Sequence, residues 1–135
     1  MASIYPEIRA ALEVKLAAIS GIPSIAWENA EFTPTTGTAY VKPRLVPTVR
    51  EPAVRGTNPQ IYYQGLFRVD CYVPEDGGPN AADELADKII DAFEATTDVA
   101  YGDTIVSIRY AERDLGVIDG AFYTVPVNIG WYIYS

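Results

Sequence analysis

The chain has 135 residues, 49% hydrophobic and 21% charged, which is one domain of ordinary globular composition and excludes wholesale disorder. No apolar run approaches the roughly 20 residues of a membrane-spanning helix. The start MASIYPEIRAALEVKL lacks the basic and apolar regions of a secretory signal, so the expectation is a soluble protein kept inside the cell that makes it. A formal charge of −8 argues against a phosphate-neutralising surface, and so against nonspecific nucleic-acid binding.

The spacing of Ile4, Ile8, Leu12, Leu16 and Ile19 predicts a helix over 4–19 with one apolar stripe. Ser3 can cap it, Pro6 is tolerated in its first turn, and Gly21 and Pro23 stop it. A short strand follows at Ser24–Glu28, and the turn-rich 29–37 leads into an extended segment, Thr38–Val49. Pro43 and Pro47 cannot donate ladder hydrogen bonds, so this segment is an edge strand, a bent strand or a projecting arm. The next stretch, EPAVRGTNPQ, has no hydrophobic period and reads as an exposed tip.

Gln60–Val73 alternates Ile61, Tyr63, Phe67, Val69, Cys71 and Val73 against Tyr62, Gln64, Arg68, Asp70 and Tyr72, the pattern of a long half-buried strand. Residues 74–79 form a turn, and Asn80 caps a helix reaching about Thr96, with Leu85, Ile89, Ala92 and Phe93 inward. Two strands, Asp103–Arg113 and Ala121–Tyr134, are joined by the turn Asp114–Gly120. The last strand places Tyr123, Val125, Val127, Ile129, Trp131 and Ile133 on one face, and Pro126 and Gly130 mark a bulge or an edge. The expected fold is α+β: a largely antiparallel, mixed sheet of about five strands packed against two helices, with a projecting β-hairpin arm over about 38–60. One domain spans 1–135.

The chemical inventory is thin. There is no histidine, the commonest general base and metal ligand, and the single cysteine, Cys71, falls within a strand pattern. Gly77 and Gly78 sit in PEDGGPN, whose two acids would repel phosphate and whose spacing is not that of a phosphate loop. These features predict a protein that binds other proteins rather than an enzyme, with no catalytic, cofactor-binding or metal-ligating residues and no cofactor.

Charge is sorted along the chain. Residues 1–60 hold six Lys/Arg and five Asp/Glu, net +1, whereas residues 61–135 hold four and thirteen, net −9. Lys42, Arg44, Arg50 and Arg55 make the hairpin arm basic, and Asp83, Glu84, Asp87, Asp91 and Glu94 make one helix acidic. A solvated helix beside an ordinary basic loop would look the same. The sharper reading makes these nine residues a subunit interface, the arm of one copy lying on the acidic surface of the next, head to tail.

The segments IRAALEVKLAAISGIPSIAWEN, YVKPRLVP and YYQGLFRVDCYVPEDGGPNAADELADKI resemble the tail terminator proteins of long-tailed bacteriophages and prophages. The strand pattern G-x-(F/L)-x-V-x-x-Y-x-P, met at Gly65–Pro74, carries much of the likeness. The resemblance implies a hexameric ring capping the head-proximal end of the tail tube, ending its polymerisation and giving the head something to join. Its implied partners are copies of itself, the major tail tube protein and a head-completion or connector protein. DNA would pass through the lumen without specific binding, and no membrane is involved. The implied location is the virion neck, with the host cytoplasm during assembly. A head-closure or tail-completion protein, another minor tail protein, and more remotely a small-ligand-binding regulatory domain, remain the alternative readings.

Overall fold

Two helices cover one face of a mixed, seven-stranded sheet in the computed structural model, which describes residues 4–35, 37–56, 59–74, 79–94 and 98–135. Helix α1 (Ile4–Ala17) is followed by β1 (Ser24–Ile25), β2 (Tyr40–Pro52), β3 (Ile61–Pro74), α2 (Asn80–Glu94), β4 (Asp98–Tyr101), β5 (Thr104–Arg113), β6 (Val117–Asp119) and β7 (Phe122–Tyr134). The strands run in the order β1-β2-β3-β7-β5-β4, and β6 pairs with β7. Only the β1–β2 pair is parallel among these strands; the other pairs are antiparallel. The expected α+β class holds, with two strands more than the five expected.

The additions are β4 and β6. Four and three residues long, they are too short to show a period-2 pattern, and each is paired by the turn that joins it to a longer strand. Gly102 (φ 59°) turns β4 into β5 and Gly120 (φ 62°) turns β6 into β7, both in the left-handed region where glycine carries no Cβ penalty. Elsewhere α1 ends at Ala17 and the strand at Ser24 covers two residues. The strand expected to end at Val49 instead runs on to Pro52 and takes Glu51 and Pro52 out of the expected tip. The Ser3 cap, the Gly77–Gly78 turn and the second helix beyond Glu94 lie outside the described residues.

One apolar cluster joins the layers. From the sheet come Val41, Phe67, Val69, Cys71, Val125, Val127, Ile129 and Trp131, all fully buried. From the helices come Ile8, Leu12 and Leu16 of α1, and Ala82, Ala86, Ile89 and Phe93 of α2. The 3.6-residue period of each helix and the two-residue period of β3 and β7 bring these residues to a common side. Trp131 is accommodated because its register partner is Gly65: a Cβ there would stand 2.7 Å from the indole ring and 2.5 Å from the Val46 carbonyl oxygen. On the opposite face the Tyr110 ring similarly lies over its partner Gly130.

Pro126 is neither at a bulge nor on an outer strand. Ile61 and Ser135 exchange amide bonds at 2.8 and 2.9 Å, so the odd-numbered residues of β7 turn to β3 and the even-numbered ones turn away. Pro126 therefore faces the place where β5 ends at Arg113 and β6 has not begun, and its carbonyl accepts the Asp114 N–H there at 2.9 Å.

Candidate functional site

The same alternation explains the edge of the sheet. Even-numbered residues of β3 bond to β2, so Lys42, Arg44 and Val46 turn their amides inward, while Val41, Pro43, Leu45 and Pro47 turn theirs outward. A bulge between Pro47 and Val49 shifts the phase by one residue, which brings Pro52 to the outward position as well. All three prolines of β2 thus occupy positions where an N–H would otherwise face solvent. Leu45 is the remaining outward donor between Pro43 and Pro47, and its N–H bonds to the Glu28 carboxylate at 3.0 Å. The edge is closed to strand addition along this stretch. Partial burial pushes the Glu28 carboxyl up, but hydrogen bonds from the Arg9 guanidinium and the Leu45 amide outweigh it and hold the carboxyl below its usual range.

The bulge also divides the basic residues. Lys42 and Arg44 are exposed on the helix-free face, where they pair in register with Asp70 and Arg68. The Arg44–Arg68 apposition is relieved by Asp70, whose carboxylate accepts from Arg68 Nε at 3.1 Å. Arg50 comes to the helix-bearing face, its guanidinium 5.7 Å from the Tyr63 ring centroid, within cation–π range. Arg55 is exposed in the tip beyond Pro52, beside Val54, which is also exposed. The hairpin arm is backed along β3 by β7, so the part standing clear of the sheet is this tip.

The acidic helix is less uniform than its sequence suggests. Asp83 is half-buried and ion-paired with Arg113 of β5, which raises the guanidinium's pKa. Glu84 accepts from Asn80 Nδ2 at 3.3 Å. Asp87, Asp91 and Glu94 are exposed, with Lys88 between them. Because α2 packs on β7, β5 and β3, this row faces away from the sheet, and the chain does not bring it together with Lys42 or Arg44.

Cys71 is fully buried in the core. Burial, reinforced by the Asp70 charge, pushes its thiol up to about 12, which makes it a packing residue. Among the described residues no three His, Cys, Asp or Glu side chains are grouped to hold a metal ion. Among them, too, no helix is long and apolar enough to cross a membrane.

Two features escaped the sequence reading. Outside β2, the loop between β1 and β2 folds back so that Trp27, Phe32 and Pro34 join Tyr40, Lys42 and Arg44 around a pocket of about 400 Å³. Phe32 packs on Tyr40 with ring centroids 5.0 Å apart, and Tyr40 stacks on Tyr72 at 4.5 Å. The second feature is the β6 hairpin, where Leu115, Val117 and Ile118 stand in solvent. Its signal, three aliphatic residues inside an apparent turn, was present in LGVIDG.

These features define a two-layer α+β protein with sorted surface charge. A solved structure 24% identical to this chain superposes with a TM-score of 0.74, covering 97% of this chain and 95% of its own, which establishes the fold as one already seen. Among curated protein sequences nothing matches. The family model of the phage tail terminator proteins matches residues 7–131, and the chain belongs to that family, a family of structural proteins.

Proposed function

We propose that the chain assembles as a homohexameric ring on the head-proximal end of a phage tail tube. There it stops tube polymerisation and offers its other face to a head-completion or connector protein. The observation that carries this reading is the family match over residues 7–131. The sorted charge supports it: Arg50 and Arg55 of one copy would lie against Asp87, Asp91 and Glu94 of the next, with Glu84 at the border. Lys42 and Arg44 on the opposite face, and Asp83, held by Arg113, lie outside that contact. Complementary potentials of this kind set register and speed assembly. A net charge of −8 suits a conduit, since DNA then passes through the lumen without being gripped. The protein would reside in the virion neck, having assembled in the host cytoplasm.

The test uses purified tail tube protein from the same phage, polymerised with and without this chain and imaged by electron microscopy. Tubes that stop growing and carry a ring at one end support the reading. Tubes of unchanged length with bare ends overturn it.

A further inference from the structure

Leu115, Val117 and Ile118 are 85%, 53% and 66% exposed, three large aliphatic side chains within four residues of a solvated hairpin. Exposure this concentrated marks a contact surface. Its flanks are acidic: Asp114 and Asp119 are both exposed, and the segment 114–120 contains no cation. The preceding cation, Arg113, is engaged by Asp83.

The pocket at the sheet edge has the complementary character. Trp27, Phe32 and Tyr40 give it an apolar lining, and Lys42 and Arg44 are its cations. Its one acid, Glu28, is already held by Arg9 and by the Leu45 amide. A pocket of about 400 Å³ has room for aliphatic side chains.

Within one chain Phe122, the register partner of Asp119, reaches Tyr40 edge-on at 5.3 Å, but Leu115, Val117 and Ile118 themselves remain in solvent. The β6 strand pairs with β7 on the side away from β3, so β3 and β7 both stand between it and β2. Three strand spacings of about 4.8 Å put roughly 14 Å between them.

We propose that the pocket receives the β6 hairpin of a second copy, with Leu115 and Ile118 against Trp27, Phe32 and Tyr40, and with Asp114 and Asp119 facing Lys42 and Arg44. The contact joins different surfaces of the two copies, so it repeats head to tail. The closed β2 edge fits this arrangement, because it leaves side chains rather than backbone amides to make the join. The contact rests on the ring reading but is not required by it, since a ring could close through other surfaces.

The experiment measures the mass in solution of the full chain and of two variants, Leu115→Ser with Ile118→Ser, and Lys42→Glu with Arg44→Glu. Circular dichroism checks that each is folded; all four positions are exposed. The wild type should form an oligomer, and each variant should weaken association on the order of 100-fold and run as the 14.8 kDa monomer. Mixing the two variants should then yield a one-to-one dimer and nothing larger, because each supplies the surface the other lacks. A monomeric wild type, a variant that assembles as the wild type does, or a mixture that stays monomeric overturns the contact. Tube capping by the same proteins is scored separately. If the hairpin variant still assembles and caps tubes, the contact fails and the terminator reading stands. If the contact is made but the wild type leaves tubes bare, the terminator reading alone fails.

Discussion

Replacing Gly65 with alanine should destabilise the domain by about 2 kcal/mol. The added methyl carbon would stand 2.5 Å from the Val46 carbonyl oxygen, 2.7 Å from Trp131 Cζ2 and 3.0 Å from Pro47 Cα. Two of these three neighbours are backbone atoms of the paired strand, which cannot rotate aside as a side-chain terminus could. Overpacking a filled site costs about 1–3 kcal/mol, and contact with a fixed carbonyl places this one near the upper limit. The φ of Gly65 is not in the left-handed region, so alanine also gains about 0.4–1 kcal/mol by restricting the unfolded chain. The net of about 2 kcal/mol corresponds to a fall in Tm of roughly 6–8 °C for a domain of this length. Urea unfolding followed by tryptophan fluorescence, with Trp131 beside the substitution, measures it directly. A destabilisation below about 0.5 kcal/mol would refute the close approach of β2 to Trp131 across Gly65.

Glu28→Gln should lower stability near neutral pH, because a charge-assisted bond to the Leu45 amide becomes a neutral one. The wild-type carboxyl is held below its usual range, so its contribution is present above the unfolded pKa and is lost as pH falls through the folded value. The stability gap between wild type and variant, measured by urea titration at several pH values, should therefore close as the solution is acidified below about pH 4. Cys71 should resist alkylation by iodoacetamide in the folded protein at pH 8 and react once urea is added; rapid native labelling would contradict its burial. Its folded pKa is raised to about 12 from an ordinary 9, so the stability it contributes is complete below pH 9 and lost as pH rises towards 12. Cys71→Ala should accordingly lose less stability than the wild type across that interval. Tyr40 and Tyr72, raised first by burial, titrate on both sides of the comparison and cancel from it. Reversing Asp87, Asp91 and Glu94 to lysine should weaken assembly at low salt more than at high salt. Asp83→Asn should instead cost about 0–1 kcal/mol of fold stability, as a part-exposed ion pair does.

Strand β3 and helix α2 were legible because each shows one period without interruption. Nine consecutive residues of β3, Leu66–Pro74, alternate between partly exposed and buried, and the five buried residues of α2 recur at helical spacing. Short strands were illegible for the opposite reason: of the four residues in β4 only Val99 is buried, and in β6 none is. Pro43 and Pro47 correctly signalled an edge. What sequence could not supply was the bulge at Thr48, a one-residue change of phase that sends Arg50 to the face opposite Lys42 and Arg44. The basic arm, continuous in sequence, is thereby two surfaces in space. Asp83 shows the same gap in reverse, since its partner Arg113 is 30 residues away and only the β5 register brings it alongside. The pocket depends on Phe32, in a loop without periodicity, returning to Tyr40.

Whether this chain terminates a tail tube is decided by growing tubes from purified tube protein and adding the chain during polymerisation. Electron microscopy of the products decides it. Termination by this chain leaves a ring at one end of each tube, and growth ceases when the ring is in place. Bare ends and lengths unaffected by the chain, at concentrations where it is folded, would contradict it.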